Sequence, residues 1–209
     1  MKNELGKLIL LLFLFALTPA VVFSQKIKHV ILIGSDGFGA YAFENAKVPY
    51  LRTMMKEGSW SLQARTVLPS SSASKYIIEK KPNFLFVHLH DVDSVGHNVG
   101  HGTPEYYAAV ERTDTHIGTI LKSIKEAGIE KNTVVLFTAD HGGVNKGHGL
   151  ISMNEMQIPW IMRGPGIQRN RELTESIMTF DTAATIAKLL KLKVPQAWIG
   201  RPVKGAFNK

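Results

Sequence analysis

Three apolar runs along the chain each stop abruptly at acidic or imidazole side chains. The runs and the residues after them are Val30–Ile33 before Asp36, Phe84–Val87 before Asp91-Val92-Asp93, and Val134–Phe137 before Asp140-His141. Short runs that are apolar at every position are typical of parallel strands buried on both faces. Because ligands of open α/β sheets bind outside the carboxyl ends of the strands, these ends predict one cluster of acids and histidines.

Helical patterns alternate with these strands. Pro49–Glu57 has helical spacing, and Thr103 followed by Pro104 is a helix start whose apolar face continues to Gly128. The alternation predicts an α/β fold, a three-layer sandwich with a mostly parallel central sheet.

Two acids in the predicted helices have structural interpretations. Asp181 is expected to be the N-cap of a helix over Thr182–Leu192. Asp114 lies beside the apolar face of its helix. It is either a buried acid bonded to the loops of the site or one partner of a boundary salt bridge.

The first 24 residues differ from the rest of the chain. A basic start precedes a continuous apolar run, Leu8–Leu17, and the spacing of a cleavage site follows. This pattern predicts a signal peptide over 1–24 and a secreted or periplasmic domain over 25–209 without a stable membrane anchor. The alternative is an uncleaved anchor, but the run is short for a membrane span and is followed by Pro19.

The composition narrows the function classes. With 209 residues the chain is long enough for one domain with a real core. It has no cysteine, which excludes disulfides, a thiolate nucleophile and cysteine zinc ligands. The net charge of +8 is scattered along the chain, so a nucleic-acid polymer is not an expected partner. A basic surface helps to collect a small anionic substrate.

Carboxylates and imidazoles at the predicted sheet edge form a candidate set of metal ligands. The set comprises Asp36, Asp93, His97, Asp140, His141 and His148. Six nitrogen and oxygen ligands are too many for one open zinc site and suit two metals about 4 Å apart. Mixed ligation favours Zn²⁺, with Mn²⁺, Fe and Co as alternatives, over an all-oxygen Mg²⁺ or Ca²⁺ site.

Other polar residues have less specific interpretations. His88 and His90 share one face of their strand and are candidates for partners of the metal ligands. His101 is interpreted as a loop residue and His116 as a helix surface residue. The serines over 70–72 form either a loop with a helix cap or a loop that carries a nucleophile.

Three motifs resemble those of the alkaline phosphatase superfamily, and in particular its type I phosphodiesterase/nucleotide pyrophosphatase branch. They are GSDG with Asp36, HDVDSVGH with Asp93 and His97, and TADHGG with Asp140 and His141. The resemblance covers nearly the whole predicted mature chain and implies an alkaline-phosphatase-like fold.

The resemblance also implies roles for these residues. One metal is held by Asp93, His97 and His148, and the other by Asp36, Asp140 and His141. The nucleophile is Ser72, with Ser71 as the runner-up. Ser72 attacks phosphorus to form a phosphoseryl intermediate, which water then releases. The implied protein is a secreted two-metal phosphohydrolase that cleaves phosphate esters of the phosphodiester or nucleotide type.

The chain departs from the family pattern after Ala73. In the family, Ser-Ala is usually followed by Pro-Asn, a helix and a substrate-lining segment, whereas Ala73 here leads directly into Ser74-Lys75. A segment near 73–74 is therefore expected to be missing. One alternative function is a non-catalytic, metal-binding remnant of the fold. A sulfatase is less favoured, because Ser71–Lys75 lacks the Pro and Arg of the Cys/Ser-x-Pro-x-Arg setting.

Overall fold

A computed structural model describes residues 26–64 and 73–208. The predicted signal peptide and the predicted nucleophile, Ser72, lie outside these residues. The strands are β1 His29–Ser35, β2 Gly58–Ala64, β3 Phe84–Leu89, β4 Thr133–Ala139, β5 Ile158–Arg163 and β6 Arg171–Glu172. The helices are α1 Ala42–Asn45, α2 Pro49–Glu57, α3 Ser74–Lys80, α4 Asp91–Val99, α5 Pro104–Glu126, α6 Met153–Met156 and α7 Thr179–Leu189. Single 3₁₀ turns cover Glu130–Asn132 and Lys204–Ala206.

The strands form one sheet in the order β3-β1-β4-β5-β2-β6. β1 is parallel to β3 and β4, β5 is antiparallel to β4 and β2, and β6 is parallel to β2. Among the described strands, only β5 therefore runs against the others. β4 is buried at every position and β1 at all but one, as their continuous apolar sequences require. The predicted α/β fold with a mostly parallel sheet is confirmed.

Helices cover both faces of the sheet. Phe84 and Phe86 of β3 face a cavity of about 430 Å³ that is also lined by Ile186 of α7. Val87, the residue next to Phe86, instead lines a pocket with Ile120 of α5. Because successive side chains of a strand point to opposite faces, α7 and α5 lie in different layers. α2, α3 and α4 pack against α5 and complete its layer.

The helix boundaries agree with the sequence at one site and differ at another. Thr103 caps α5 as predicted, with its hydroxyl accepting from the Tyr106 amide at 3.2 Å. The expectation for Asp181 is wrong, because α7 begins at Thr179 and Asp181 is its third residue. The Asp181 carboxylate accepts from the Met178 amide at 2.9 Å. An acid in the first turn can therefore bind an amide group at the start of the helix that has no partner within the helix.

Within residues 26–64 and 73–208, none of the helices has the length and hydrophobicity of a membrane-spanning helix.

Asp114 has a role that neither sequence interpretation described. Its buried carboxylate accepts hydrogen bonds from the amides of Tyr50 at 2.8 Å and Leu51 at 2.7 Å, in the first turn of α2. Burial raises the pKa of Asp114, and the two amide donors oppose that rise. A side chain of α5 thus caps the N-terminus of α2 and fixes the two helices together.

We predict that Asp114→Ala lowers the free energy of unfolding by about 2 kcal/mol, because it leaves two buried amide donors unpaired. Asp114→Asn keeps one acceptor oxygen and is expected to lose less. Urea unfolding measures both values. Glu126→Ala, at an exposed ion pair on the same helix, is the control and is expected to change stability by less than about 0.5 kcal/mol. Equal stability of Asp114→Ala and this control contradicts the capping role.

Candidate metal centre

Strands and helices bring the predicted ligands to one edge of the sheet. Asp36 follows β1, and Asp140 and His141 follow β4. These two strands are parallel neighbours, so their carboxyl ends meet at the same edge. Asp93 and His97 lie one turn apart on α4, with 3.5 Å between the Asp93 Oδ1 and His97 Nε2 atoms.

The side chains form two groups that share one carboxylate. Asp93, His97 and His148 place ligand atoms within 4.8 Å of one another, and so do Asp36, Asp93 and His141. His141 Nε2 lies 3.4 Å from Asp36 Oδ1 and 3.9 Å from Asp93 Oδ1. We call Asp36, Asp93 and His141 the inner group, and Asp93, His97 and His148 the outer group. The Asp36 and His141 side chains of the inner group are 14% and 16% exposed, whereas His97 is 44% exposed, so the outer group is the more open to solvent.

The outer group is the trio that the family resemblance implies for one metal. The inner group differs from the second trio that the resemblance implies, because it contains Asp93 instead of Asp140. Asp140 lies beside Asp36, and its Oδ1 atom accepts from the amides of Gly37 at 3.1 Å and His141 at 3.2 Å. The opposite oxygen, Oδ2, is buried without a hydrogen-bond partner and remains a candidate ligand atom.

The donor set fits divalent cations. Asp93 Oδ1, which faces His97 Nε2 at 3.5 Å, and Asp140 Oδ2 are both buried without a hydrogen bond, which is costly for carboxylate oxygens without a cation or proton. His97 Nδ1 lies 3.0 Å from the Lys146 carbonyl, and His141 Nδ1 lies 2.7 Å from the Gly142 carbonyl. These contacts assign the proton to Nδ1 and leave both Nε2 atoms free to face the carboxylates, as metal ligation requires.

Neighbouring charges shift the protonation of the centre. Burial, together with the adjacent Asp36, raises the pKa of Asp140 to about 8. Two carboxyl groups this close cannot both ionise unless a cation compensates them. Burial and the neighbouring His141 lower the pKa of His148, which favours the neutral imidazole that binds metals. The His141 and His148 rings stack with 3.6 Å between their centroids.

A glycine turn packs the acids against one another. Gly37 has φ of +66°, and a Cβ atom there would lie 2.8 Å from Asp93 Cα, so no larger residue fits. The Gly37 amide donates to Asp140, and its carbonyl accepts from the buried Tyr106 hydroxyl at 2.6 Å. That hydroxyl also accepts from the Gly39 amide at 3.1 Å. Tyr106 therefore holds the backbone immediately after Asp36.

Among the remaining histidines, His88 contacts a candidate ligand. Its Nε2 atom lies 3.0 Å from Asp36 Oδ2, on the opposite carboxylate oxygen from the one that faces His141. This is the partner role expected from strand alternation. His90 is exposed, with its ring centroid 6.4 Å from that of His88. His116 is an exposed residue of α5, as interpreted.

His101 is a loop residue, as interpreted, and the structure adds that it is buried. Its ring is buried between two glycines, and a Cβ atom at Gly96 or Gly143 would lie 2.5 Å or 2.3 Å from ring atoms. Its ring centroid lies 6.1 Å from that of His97. His101 thus sets the spacing between α4 and the loop after β4. The glycine directly before His97 was a sequence sign of this close approach.

Comparisons with known proteins identify relatives of this chain. The family model for type I phosphodiesterase / nucleotide pyrophosphatase matches residues 72–157. Murine ectonucleotide pyrophosphatase / phosphodiesterase 5, an inactive variant solved in complex with AMP, superposes with a TM-score of 0.69 at 13% identity. That match covers 80% of this chain and 96% of the murine chain. These matches relate residues 72–157, and the fold as a whole, to the alkaline phosphatase superfamily.

Curated members of the alkaline phosphatase superfamily similar to this chain include sulfatases. Arylsulfatase K of Canis lupus familiaris is 31% identical over 96 residues, which are 44% of this chain and 18% of that protein. Arylsulfatase K of Danio rerio is 30% identical over 193 residues, which are 84% of this chain and 36% of that protein. The chain thus spans only a fraction of the length of these relatives.

We predict that His88→Ala weakens zinc binding by about 10- to 100-fold, because Asp36 loses the hydrogen bond that orients its carboxylate. Isothermal titration of the metal-free protein with Zn²⁺ measures the change. His116→Ala, an exposed histidine on α5, is the matched control and is expected to leave the affinity unchanged. Identical titration curves for the two variants contradict a role of His88 at the centre.

The raised pKa of Asp140 predicts a pH-dependent stability of the metal-free protein. A carboxyl whose pKa is raised by folding stabilises the folded state below its unfolded pKa, and this contribution is lost as pH rises towards about 8. The free energy of unfolding in chelator should therefore fall between pH 5 and about 8. Urea unfolding across this range tests the slope, and Asp140→Asn should flatten it. A slope that persists unchanged in Asp140→Asn assigns the titration to another group.

Proposed function

We propose that this chain is a secreted two-metal phosphohydrolase that cleaves small phosphate esters, diesters in preference to monoesters. The observation that carries the proposal is the convergence of two ligand groups on the shared carboxylate of Asp93. If both groups hold a divalent cation, the cations would supply positive charge for displacement at phosphorus. Secretion is proposed from the sequence of residues 1–24.

The residues that would hold the metals are those of the inner and outer groups, with Asp140 beside Asp36. Imidazoles occur in both groups, which favours Zn²⁺ over the all-oxygen sites that Mg²⁺ and Ca²⁺ prefer. When bound, such ions supply positive charge for the phosphate oxygens and lower the pKa of a neighbouring hydroxyl. His88, through Asp36, and Tyr106, through the Gly37 carbonyl, would keep the ligands in place during turnover.

The proposed nucleophile is Ser72. Its Oγ attacks phosphorus, so the Oγ–P bond forms while the bond from phosphorus to the leaving oxygen breaks and that oxygen takes up a proton. Water then cleaves the Oγ–P bond and restores the serine. Ala73, the next residue, lines a pocket with His88 and His90 at the carboxyl end of β3.

The substrate class is proposed from charge and from a relative. The murine relative described above was solved with AMP, a small phosphate ester. The chain keeps a net positive charge after the proposed removal of residues 1–24, and this charge helps to attract such anions. Nucleotide-type phosphate esters are therefore the first substrates to assay.

Sulfate esters are a second candidate, because the curated relatives named above are sulfatases. Against them, Ser71–Lys75 lacks the Pro and Arg of the superfamily's sulfatase motif. A third candidate is a metal-binding remnant without turnover. The departure from the family pattern at Ala73 motivates it. These candidates differ in what the purified protein hydrolyses.

We predict that the purified chain hydrolyses bis-nitrophenyl phosphate faster than nitrophenyl phosphate, that chelation abolishes both activities, and that Ser72→Ala lowers kcat at least about 1,000-fold. Ser70→Ala is the matched control from the same serine cluster and should retain activity. Faster hydrolysis of nitrophenyl sulfate would overturn the proposal in favour of a sulfatase. Two bound zinc equivalents without turnover on any ester would instead identify a remnant. Equal rates for Ser72→Ala and the unmodified protein exclude Ser72 as the nucleophile.

A further inference from the structure

We propose that Glu155 is a positioning residue that holds His148 in the outer group. Glu155 lies on the short helix α6, seven residues after His148, and its side chain is buried. His148 is carried by the loop between β4 and α6, whereas Asp93 and His97 lie on a helix. The position of His148 therefore depends on what holds this loop. The relevance of Glu155 to catalysis rests on the proposed function, but its effect on metal binding does not.

The Glu155 carboxylate binds the loop directly after His148. Its Oε1 atom accepts from the Leu150 amide at 3.0 Å, and its Oε2 atom accepts from the Ser152 amide at 3.4 Å and from the Ser152 hydroxyl. Both oxygens of the Glu155 carboxylate therefore bind the turn over Leu150–Ser152, which begins two residues after His148. Hydrogen bonds to a charged acceptor are about twice as strong as neutral ones.

The backbone of Glu155 binds the other side of the centre. Its carbonyl accepts from the Gly142 amide at 2.8 Å, directly after His141. A Cβ atom at Gly142 would lie 2.0 Å from the Asn154 carbonyl oxygen, so this approach requires glycine. The same residue therefore holds the chain next to His141 and next to His148, whose rings stack on each other.

Apolar burial does not explain the conformation of this loop. Leu150 and Ile151 are 77% and 90% exposed, although each is large and hydrophobic. Leaving such side chains in water forgoes about 1.5–3 kcal/mol each relative to full burial. The hydrogen bonds to Glu155 hold these residues in place, and their effect is to keep the backbone at His148 close to Asp93 and His97.

Glu155→Gln tests the proposal, because it keeps the shape of the side chain but removes the charge and one acceptor. We expect one of two zinc equivalents to bind about 10- to 100-fold more weakly and the other to be unchanged, measured by calorimetric titration. In the metal-free protein, amide hydrogen exchange at Leu150 and Ser152 should accelerate, whereas exchange in β1 and β4 should not. Glu126→Gln, an exposed glutamate on α5, is the matched control.

A double-mutant cycle separates positioning of His148 from general destabilisation. If Glu155 acts through His148, Glu155→Gln has no further effect on zinc affinity in a His148→Ala background. An additional loss in that background, or equal weakening of both zinc equivalents, overturns the proposal. So does an unchanged zinc affinity in both Glu155→Gln and Glu155→Ala. If the protein binds zinc as expected but hydrolyses no ester, the proposed function fails while this inference stands.

Discussion

The centre depends on compensation of the negative charge that the fold concentrates at one edge of the sheet. Asp36 and Asp93 converge on His141, and Asp140 lies beside Asp36. The raised pKa of Asp140 shows the cost of this convergence, because burial and a like charge both disfavour its ionised form. A bound cation offsets the unfavourable free energy of bringing these acids together, so cation binding stabilises the folded state. The imidazoles face the same carboxylates through Nε2, which makes the set selective for metals that accept nitrogen.

Around the acids, glycines allow the backbone to approach neighbouring residues more closely than any larger residue would. Gly37 lies against Asp93, and Gly96 and Gly143 enclose the ring of His101. Each of these glycines is adjacent or close in sequence to a candidate ligand, so the close contacts set ligand separations directly. Tyr106 adds two hydrogen bonds to the turn after Asp36. Two residues of the inner group, Asp36 and His141, follow strand ends, and the third, Asp93, lies on α4, whereas the outer group relies on α4 and a loop.

The same architecture serves phosphate and sulfate esters in different members of the superfamily, so the fold does not choose between them. The family model and the murine relative belong to the phosphodiesterase branch, and the curated relatives are sulfatases. The histidines in both ligand groups favour a metal that accepts nitrogen ligands and do not distinguish the two esters.

Local sequence patterns were sufficient to predict the mostly parallel sheet, whereas the superfamily was suggested by the resemblance of three motifs to a known family. The apolar runs of β1, β3 and β4 end in acids, and parallel strands bring such ends to one edge whatever the details of packing. The spacing of Asp93 and His97 fits one helical turn as well as a tight loop, and the structure places both on α4. These predictions succeeded because periodicity and strand polarity are properties of short segments.

Contacts between distant segments were decided by the tertiary structure. The sequence pattern could not show that Asp93 belongs to both ligand groups, that His101 fills the space between Gly96 and Gly143, or that Asp114 caps α2. Spacing along the chain determines which residues reach the sheet edge. Which atoms touch there depends on packing between layers, and the sequence carries no local record of it.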